Sequence, residues 1–367
     1  MYNDDFLTKK LNERKDVNAF RSLKLVTNKI DFCSNDYLGI VKNNLLQINP
    51  HNLSFGATGS RLLSGNYPLA EETEKLIAHF HDAEAALIFN SGYDANVGAL
   101  SSIPQRSDVV FYDQYSHASI RDGLRLSFAK SLSFLHNNPA DLEIKLGALD
   151  KNYFKNIFIV TESVFSMDGD TCPLNEILLL CKKYNAHLIL DEAHAIGVIG
   201  NKGEGLAQHL KMHSDVFCRI YTYGKACGVH GASVCGTAQL KDYLINFSRS
   251  FIYTTALSPH AVAAINSSYK TFPFLNNERN YLKKIVEKFK MANVNYKKTN
   301  SDTPIQIIMV AGNDNARALA NKLQENNLDV RAILYPTVAK GEERLRIVLH
   351  SFNTEKEIDI LLNCLAE

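Results

Sequence analysis

The amino-acid sequence predicts an α/β fold, with one large unit on a mainly parallel sheet and a smaller α+β unit after it. Three observations predict this. Short runs rich in β-branched and aromatic residues alternate with helix-like segments from about residue 30 to 260. The chain has 367 residues, enough for two domains at about 150 residues each. After Ser267 the composition turns polar and rich in Lys and Asn, before a second set of short strands and helices.

Taken in order, the residues up to Ile30 read as a short helix followed by a linker or strand. Leu69, Thr73, Leu76, Ile77 and Phe80 fall on one face at helical spacing. The strand candidates are Ala85–Phe89, Val109–Tyr112, Leu132–Leu135, Ile157–Thr161, His187–Leu190, Val216–Tyr221 and Ser233–Cys235. Pro173 reads as a first-turn residue of a helix whose apolar stripe is Leu174, Ile177, Leu178 and Cys181. Alternation of this length implies parallel strands covered on both faces.

Ser267–Asn300 reads as one long connecting helix. Ile305–Val310 (strand), Asn313–Asn326 (helix), Val330–Leu334 (strand) and Arg344–Leu349 (strand) follow. Thr354 and Glu357 form a capping box ahead of a last amphipathic helix carrying Ile358, Leu361, Leu362 and Leu365. The expected organisation is an N-terminal arm over 1–40, a large domain over 41–265 and a small α+β domain over 266–367.

Composition narrows the function. Lys plus Arg is 40 and Asp plus Glu is 39, a net charge of +1, so no basic excess argues for nucleic acid. No apolar run approaches the length of a membrane span. The seven cysteines are scattered and odd in number, without a C-x-x-C pair, which suits free thiols better than disulfides or a structural zinc. Met1 to Lys15 show no secretory pattern, so a cytoplasmic location without a membrane or nucleic-acid partner is expected.

Several segments carry chemistry. Ile189-Leu190-Asp191-Glu192-Ala193-His194 is an apolar strand ending in an acid, with a histidine three positions on. Sites in parallel sheets sit at such strand ends. The string DEAH also occurs in helicases, but Gly224-Lys225-Ala226 is not a phosphate-binding loop. Lys225 follows another apolar strand, 34 residues after Asp191, enough chain for one helix and the next strand.

A desolvated lysine loses its proton readily and can form a Schiff base with an aldehyde. Pyridoxal phosphate needs such a lysine, and an acid for its ring nitrogen, which Asp191 supplies. His194 lies in reach of the ring hydroxyl, and His117 is a candidate for stacking on the ring. Asn90-Ser91-Gly92-Tyr93 is a strand-to-helix turn suited to a phosphate, and Thr222 adds a hydroxyl. Cys227 and His230 alone are two ligands too few for a metal site, so none is expected.

These segments, in their order, resemble the α-oxoamine synthases, a pyridoxal-phosphate family with the aspartate-aminotransferase-like fold (fold type I). The segments are Ser34–Gly39 (SNDYLG), Gly56–Glu74, Phe89–Asn96 (FNSGYDAN), Ser116–Ser127, Thr161–Asp170 (TESVFSMDGD), Asp191–Gly200, Thr222–Gly228 and Phe251–Pro259. They cover nearly the whole chain. The resemblance is greatest to the biotin-pathway branch, which joins L-alanine to a pimeloyl thioester carried by CoA or acyl carrier protein. Other branches use glycine with acetyl-CoA, or serine with a long acyl chain. A homologue kept only for binding would be expected to lack Lys225 or Asp191, and both are present.

The resemblance also implies roles. Lys225, His117 and Asp191 are catalytic. Gly92, Tyr93, Ser166, His194 and Thr222 join them in holding the cofactor. Thr254 and Thr255 reach the phosphate of a neighbouring subunit, which implies a homodimer. Asn35 and Arg346 lie near the amino-acid carboxylate, and Arg21 and Thr337 are substrate-side contacts. Two positions depart from the family. Leu334 stands where many relatives have arginine, and His230 where small residues are usual.

Overall fold

The computed structural model describes residues 3–23, 25, 28–48, 53–150 and 153–367. They form two compact units. One comprises Asp36–Ser166 and Thr171–Arg279; the other comprises Met1–Asn35, Met167–Asp170 and Asn280–Glu367. The divisions thus fall at 35/36 and 279/280, where the sequence suggested 40/41 and 265/266.

The larger unit is built on seven strands among the described residues: β1 (Ala85–Phe89), β2 (Val109–Asp113), β3 (Lys130–Phe134), β4 (Ile157–Glu162), β5 (Ala186–Asp191), β6 (Cys218–Thr222) and β7 (Ala232–Gly236). Their order across the sheet is β1-β7-β6-β5-β4-β2-β3. The pairs β2·β3, β2·β4, β4·β5 and β5·β6 are parallel. Strand β7 runs against both β6 and β1. The reason is chain length: the loop 223–231 between β6 and β7 is too short for the dozen or more residues that a parallel crossover needs.

The inner parallel strands β2, β4 and β5 are buried on both faces along most of their length, as their apolar runs require, whereas the edge strand β3 is largely open. Val109, Val110 and Phe111 of β2 and Leu188, Ile189 and Leu190 of β5 are all buried. One face packs against helices Gly92–Ser102 and Ala118–Leu126, where Ala95, Ala99, Leu100, Ile120 and Leu124 meet Val110, Val160, Ile189 and Ile220. Gly123 lets these helices approach closely. A Cβ there would lie 2.9 Å from Leu100 Cβ and 3.0 Å from the Asn96 carbonyl. The connection from β2 runs to β3 on one side, whereas that from its neighbour β4 runs to β5 on the other. This switch point lies at the carboxyl edge, where the loops carrying function begin.

In the smaller unit, Arg331–Ile333, Arg344–Val348 and Ile305–Met309 form an antiparallel sheet in that order. Helices Asn313–Glu325 and Glu355–Ala366 belong with it, the latter opened by the predicted capping box of Thr354 and Glu357. The N-terminal stretch joins this unit because Ile30–Asp31 pairs in parallel with Leu328–Asp329. Met167–Asp170 is held there too. Ser301 and Thr303 donate to the Gly169 carbonyl, and buried Arg344 pairs with Asp168 at 2.5 Å.

Two expectations are corrected. Ser267–Asn300 is not one helix: Pro259–Thr271 and Asn276–Met291 are separated by the turn Phe272–Phe274. Pro273 has no N–H to continue the ladder and clashes with the preceding turn. Pro173 occupies the N-cap of Leu174–Tyr184 rather than its first turn, with a non-helical ψ of 70°. Among the described residues, no helix is long and apolar enough to cross a membrane.

Candidate active site

The candidate site of the larger unit is built on the carboxyl edge of its sheet. Asp191 is the last residue of β5 and pairs in register with Glu162, the last residue of β4. Thr222 ends β6, and the turn after it carries Lys225. His117 lies on the loop after β2 and serves as the N-cap of helix Ala118–Leu126. Four chain segments far apart in sequence therefore deliver their polar side chains to one edge.

The Asp191 carboxylate is buried and fixed at both oxygens. Asn96 Nδ2 donates to Oδ2 at 2.7 Å, and the backbone N–H of Ala193 donates to Oδ1 at 2.9 Å. Asn96 Nδ2 also donates to Ser119 Oγ at 3.1 Å, and Ser119 Oγ lies 2.7 Å from His117 Nδ1. The N–H of His117 donates to Glu162 Oε1 at 2.6 Å. His194 Nδ1 is 2.7 Å from the hydroxyl of Tyr37, and both residues are buried.

Burial, then the Asp191 carboxylate, pushes the Glu162 carboxyl up to about 8, against the opposing His117 N–H and Lys225 charge. Desolvation lowers the His117 imidazole below its usual value. Asp191 raises it, Lys225 lowers it and Asp122 raises it. Near neutral pH, Glu162 is thus a neutral acid and His117 a neutral imidazole.

The Glu162 shift has a consequence for stability. The unfolded chain ionises this residue near the usual value of 4.5, while the folded protein keeps its proton up to about 8. Between those values the folded state binds more protons, so stability falls as pH rises and levels off above the upper limit. Glu162→Gln keeps an oxygen for the His117 N–H and removes this dependence. Thermal unfolding of the cofactor-free protein from pH 5 to 8 is expected to fall more steeply for wild type, by a few kcal/mol in all. Parallel curves for the two proteins would refute this.

The helix Gly92–Ser102 opens beside the end of β6. Ser91 caps it, accepting from the Asp94 N–H at 3.1 Å. A Cβ on Gly92 would collide with the Thr222 hydroxyl, so glycine is required for the helix end and Thr222 to share this space. The cradle and the helix's free N–H groups suit a phosphate. With Lys225 for an aldehyde and Asp191 for a ring nitrogen, these residues fit pyridoxal phosphate. Asn90 Nδ2 donates to Thr254 Oγ1 at 3.0 Å and to the Thr255 carbonyl at 2.9 Å, which brings that loop to the same turn. Tyr93 is exposed, and its hydroxyl donates to Asp122 at 2.7 Å. Ser166 follows β4 on the loop after Glu162 and is half-buried.

The four residues expected on the substrate side all lie in the smaller unit, as two pairs. Arg346 donates to Asn35 Oδ1 at 2.9 Å, and Arg21 donates to Thr337 Oγ1 at 2.9 Å. Arg21 and Thr337 line a groove of about 370 Å³ with Arg14, Arg317 and the apolar residues Ile333 and Leu334. Leu334, the departure from the family pattern, thus forms part of an apolar wall among arginines. Cys227 is buried and His230 exposed, and among the described residues no cluster of three or more His, Cys, Asp or Glu could hold a metal.

Sequence reasoning missed Glu162, Asn96, Ser119 and Tyr37 as site residues. Glu162 carried the signal that exposed Asp191, an acid closing an apolar strand. Asn96, Ser119 and Tyr37 carried none of their own, because their roles come from partners distant in sequence.

Comparison with known proteins shows the family and the fold. The model of the family "Aminotransferase class I and II" matches residues 27–365. The 8-amino-7-oxononanoate synthase of Emericella nidulans is 39% identical over 393 residues, covering 99% of this chain and 95% of its own. The solved 8-amino-7-oxononanoate synthase of Francisella tularensis is 31% identical, with a TM-score of 0.74, covering 92% of this chain and 97% of its own. The S. paucimobilis serine palmitoyltransferase, solved with bound pyridoxal phosphate and myriocin, shares the fold at a TM-score of 0.86 and 23% identity, covering 99% of this chain and 96% of its own.

Proposed function

Because the chain belongs to the aminotransferase class I and II family, on its α-oxoamine synthase branch, we propose that it joins L-alanine to a pimeloyl thioester. The products are 8-amino-7-oxononanoate, carbon dioxide and the free thiol carrier, a step of biotin biosynthesis. The chain is an acyltransferase, and its cofactor is pyridoxal phosphate. The observation that carries the reading is the strand edge that brings together Asp191, His117 and the turn of Lys225.

Lys225 would hold the cofactor's aldehyde carbon. Gly92, Tyr93 and Thr222 would surround its phosphate, Ser166 and His194 its ring hydroxyl, and His117 one ring face. Bound there, pyridoxal phosphate supplies a protonated ring that takes up electrons from the substrate's α-carbon. Thr254 and Thr255 would reach the phosphate of a partner subunit in a homodimer, and a cytoplasmic location suits the free thiols.

The chain's own residues do the rest. Asp191, anchored by Asn96 and Ala193, keeps the proton on the ring nitrogen. Lys225 takes the α-proton of alanine and later returns a proton to the same carbon. His117 donates from Nε2 to the thioester carbonyl as negative charge develops there. Arg346, oriented by Asn35, binds the carboxylate of the amino acid. Arg21, oriented by Thr337, binds the far carboxylate of the pimeloyl chain, whose methylenes suit the wall formed by Ile333 and Leu334.

The test is an absorption titration of the pyridoxal-phosphate-loaded protein with L-alanine, glycine and L-serine. Pimeloyl-CoA or pimeloyl-acyl carrier protein is then added, and the product is read by mass spectrometry. Tightest response to alanine, and 8-amino-7-oxononanoate from either carrier, is the expected result. A best response to glycine with acetyl-CoA, or to serine with a long acyl thioester, would move the protein to another branch. No response to any of the three would leave the fold without the chemistry.

A further inference from the structure

We propose that Asn96 and Ser119 are positioning residues that lock His117 as its Nε2–H tautomer and tie its ring to the Asp191 carboxylate. The role of that tautomer in condensation rests on the function proposed above; the tautomer itself does not.

The argument follows the protons. The Asp191 carboxylate only accepts, so the Asn96 amide must present Nδ2 to it, and the amide orientation is fixed. The other Nδ2 proton goes to Ser119 Oγ. Ser119 Oγ already accepts from Asn96 and lies 2.7 Å from His117 Nδ1, so that nitrogen is within reach of its O–H. The backbone N–H of Ser119 converges on the same nitrogen at 3.2 Å. Two donors aimed at Nδ1 require a lone pair there, which leaves the proton on Nε2.

Burial makes the Asp191–Asn96–Ser119 part of this arrangement strict, while His117 itself is exposed. Ser119 is 0% exposed, Asn96 3% and Asp191 5%, so water does not substitute for a missing partner. Asn96 also pays for its place, since its Oδ1 is buried without a hydrogen-bond partner. A side chain selected only for packing would not leave a buried acceptor unmet; one selected to deliver two N–H bonds in fixed directions can. The close approach at Gly123 sets the helix spacing at which these bonds form. The charged and titratable groups acting on the ring are Asp191, Lys225 and Asp122, with Glu162 on its backbone N–H. The locked ring presents Nε2–H as a donor, as a carbonyl gaining negative charge requires.

The experiment reads the tautomer directly, by nitrogen NMR of protein labelled in its histidine rings. The His117 signals are assigned by their loss in His117→Gln. Wild type is expected to show a single Nε2–H form at neutral pH, with cofactor and without acyl substrate. Ser119→Ala should give a mixture of tautomers and an upward shift of the ring's titration, because one donor to the lone pair is gone. Ser119→Thr, which keeps the hydroxyl, should restore the single form. In turnover, Ser119→Ala should lower kcat by roughly tenfold with little change in KM for the amino acid.

A wild-type ring found as Nδ1–H or as a mixture overturns the inference, whether or not the protein makes 8-amino-7-oxononanoate. An unchanged ring signal in folded Ser119→Ala overturns it as well. A single Nε2–H form lost in Ser119→Ala and recovered in Ser119→Thr upholds the lock even if pimeloyl condensation fails, and that failure then falls on the proposed function alone.

Discussion

Lys225→Ala is expected to abolish condensation, with turnover falling by at least about 10³-fold. Two contributions are lost together. In the proposed function the lysine is the covalent anchor for the cofactor aldehyde, and once released it is the base beside the α-carbon. The expected spectral result is distinct from the kinetic one. The variant still binds pyridoxal phosphate through the Gly92–Thr222 cradle, but the visible band of lysine-linked cofactor is missing. Lys225→Arg keeps the charge that acts on His117 and Glu162 but cannot form the link, so it should fail equally. Retention of full turnover in either variant would remove Lys225 from the mechanism.

Asp191→Asn is expected to cost about 10²–10³ in kcat. A neutral amide does not hold the proton on a ring nitrogen as a carboxylate does. The structure adds a second cost. Both oxygens of Asp191 accept, one from Asn96 and one from Ala193, and an amide has only one oxygen to offer. Either a donor would face a donor in a buried place, or Asn96 would have to turn its own amide and give up its bond to Ser119, at about 1–3 kcal/mol of stability. Kinetics and thermal unfolding on the same preparation separate the effects. A variant with normal turnover and lowered stability would leave Asp191 a structural role only.

The two kinds of cost at Asp191 show how unevenly the site could be read beforehand. Asp191 stood out because it closes an apolar strand and Lys225 because it follows one, and a strand end in a parallel sheet is a site before any partner is known. The linked motifs from Ser34 to Pro259 then made the family legible. Asn96 was quoted within FNSGYDAN yet had no role, because its partners lie 23 and 95 residues away. Glu162 could be placed, but its pKa could not, since that depends on burial and on Asp191 one strand over.

The fold divides along the same line. The apolar runs of β2, β4 and β5 determined that these strands lie inside a parallel sheet, because a strand covered on both faces has no polar face to show. The capping box of Thr354 and Glu357 was likewise local and found in place. The break at Pro273 was readable from one residue and was passed over. Only the tertiary structure decided that the N-terminal stretch pairs with Leu328–Asp329, that Gly169 is held by Ser301 and Thr303, and that Asn96 joins Asp191 to His117. Periodicity and motif are properties of neighbouring residues and survive in a linear string. Hydrogen bonds between distant residues, and the charges they set, exist only once the chain has brought those residues together.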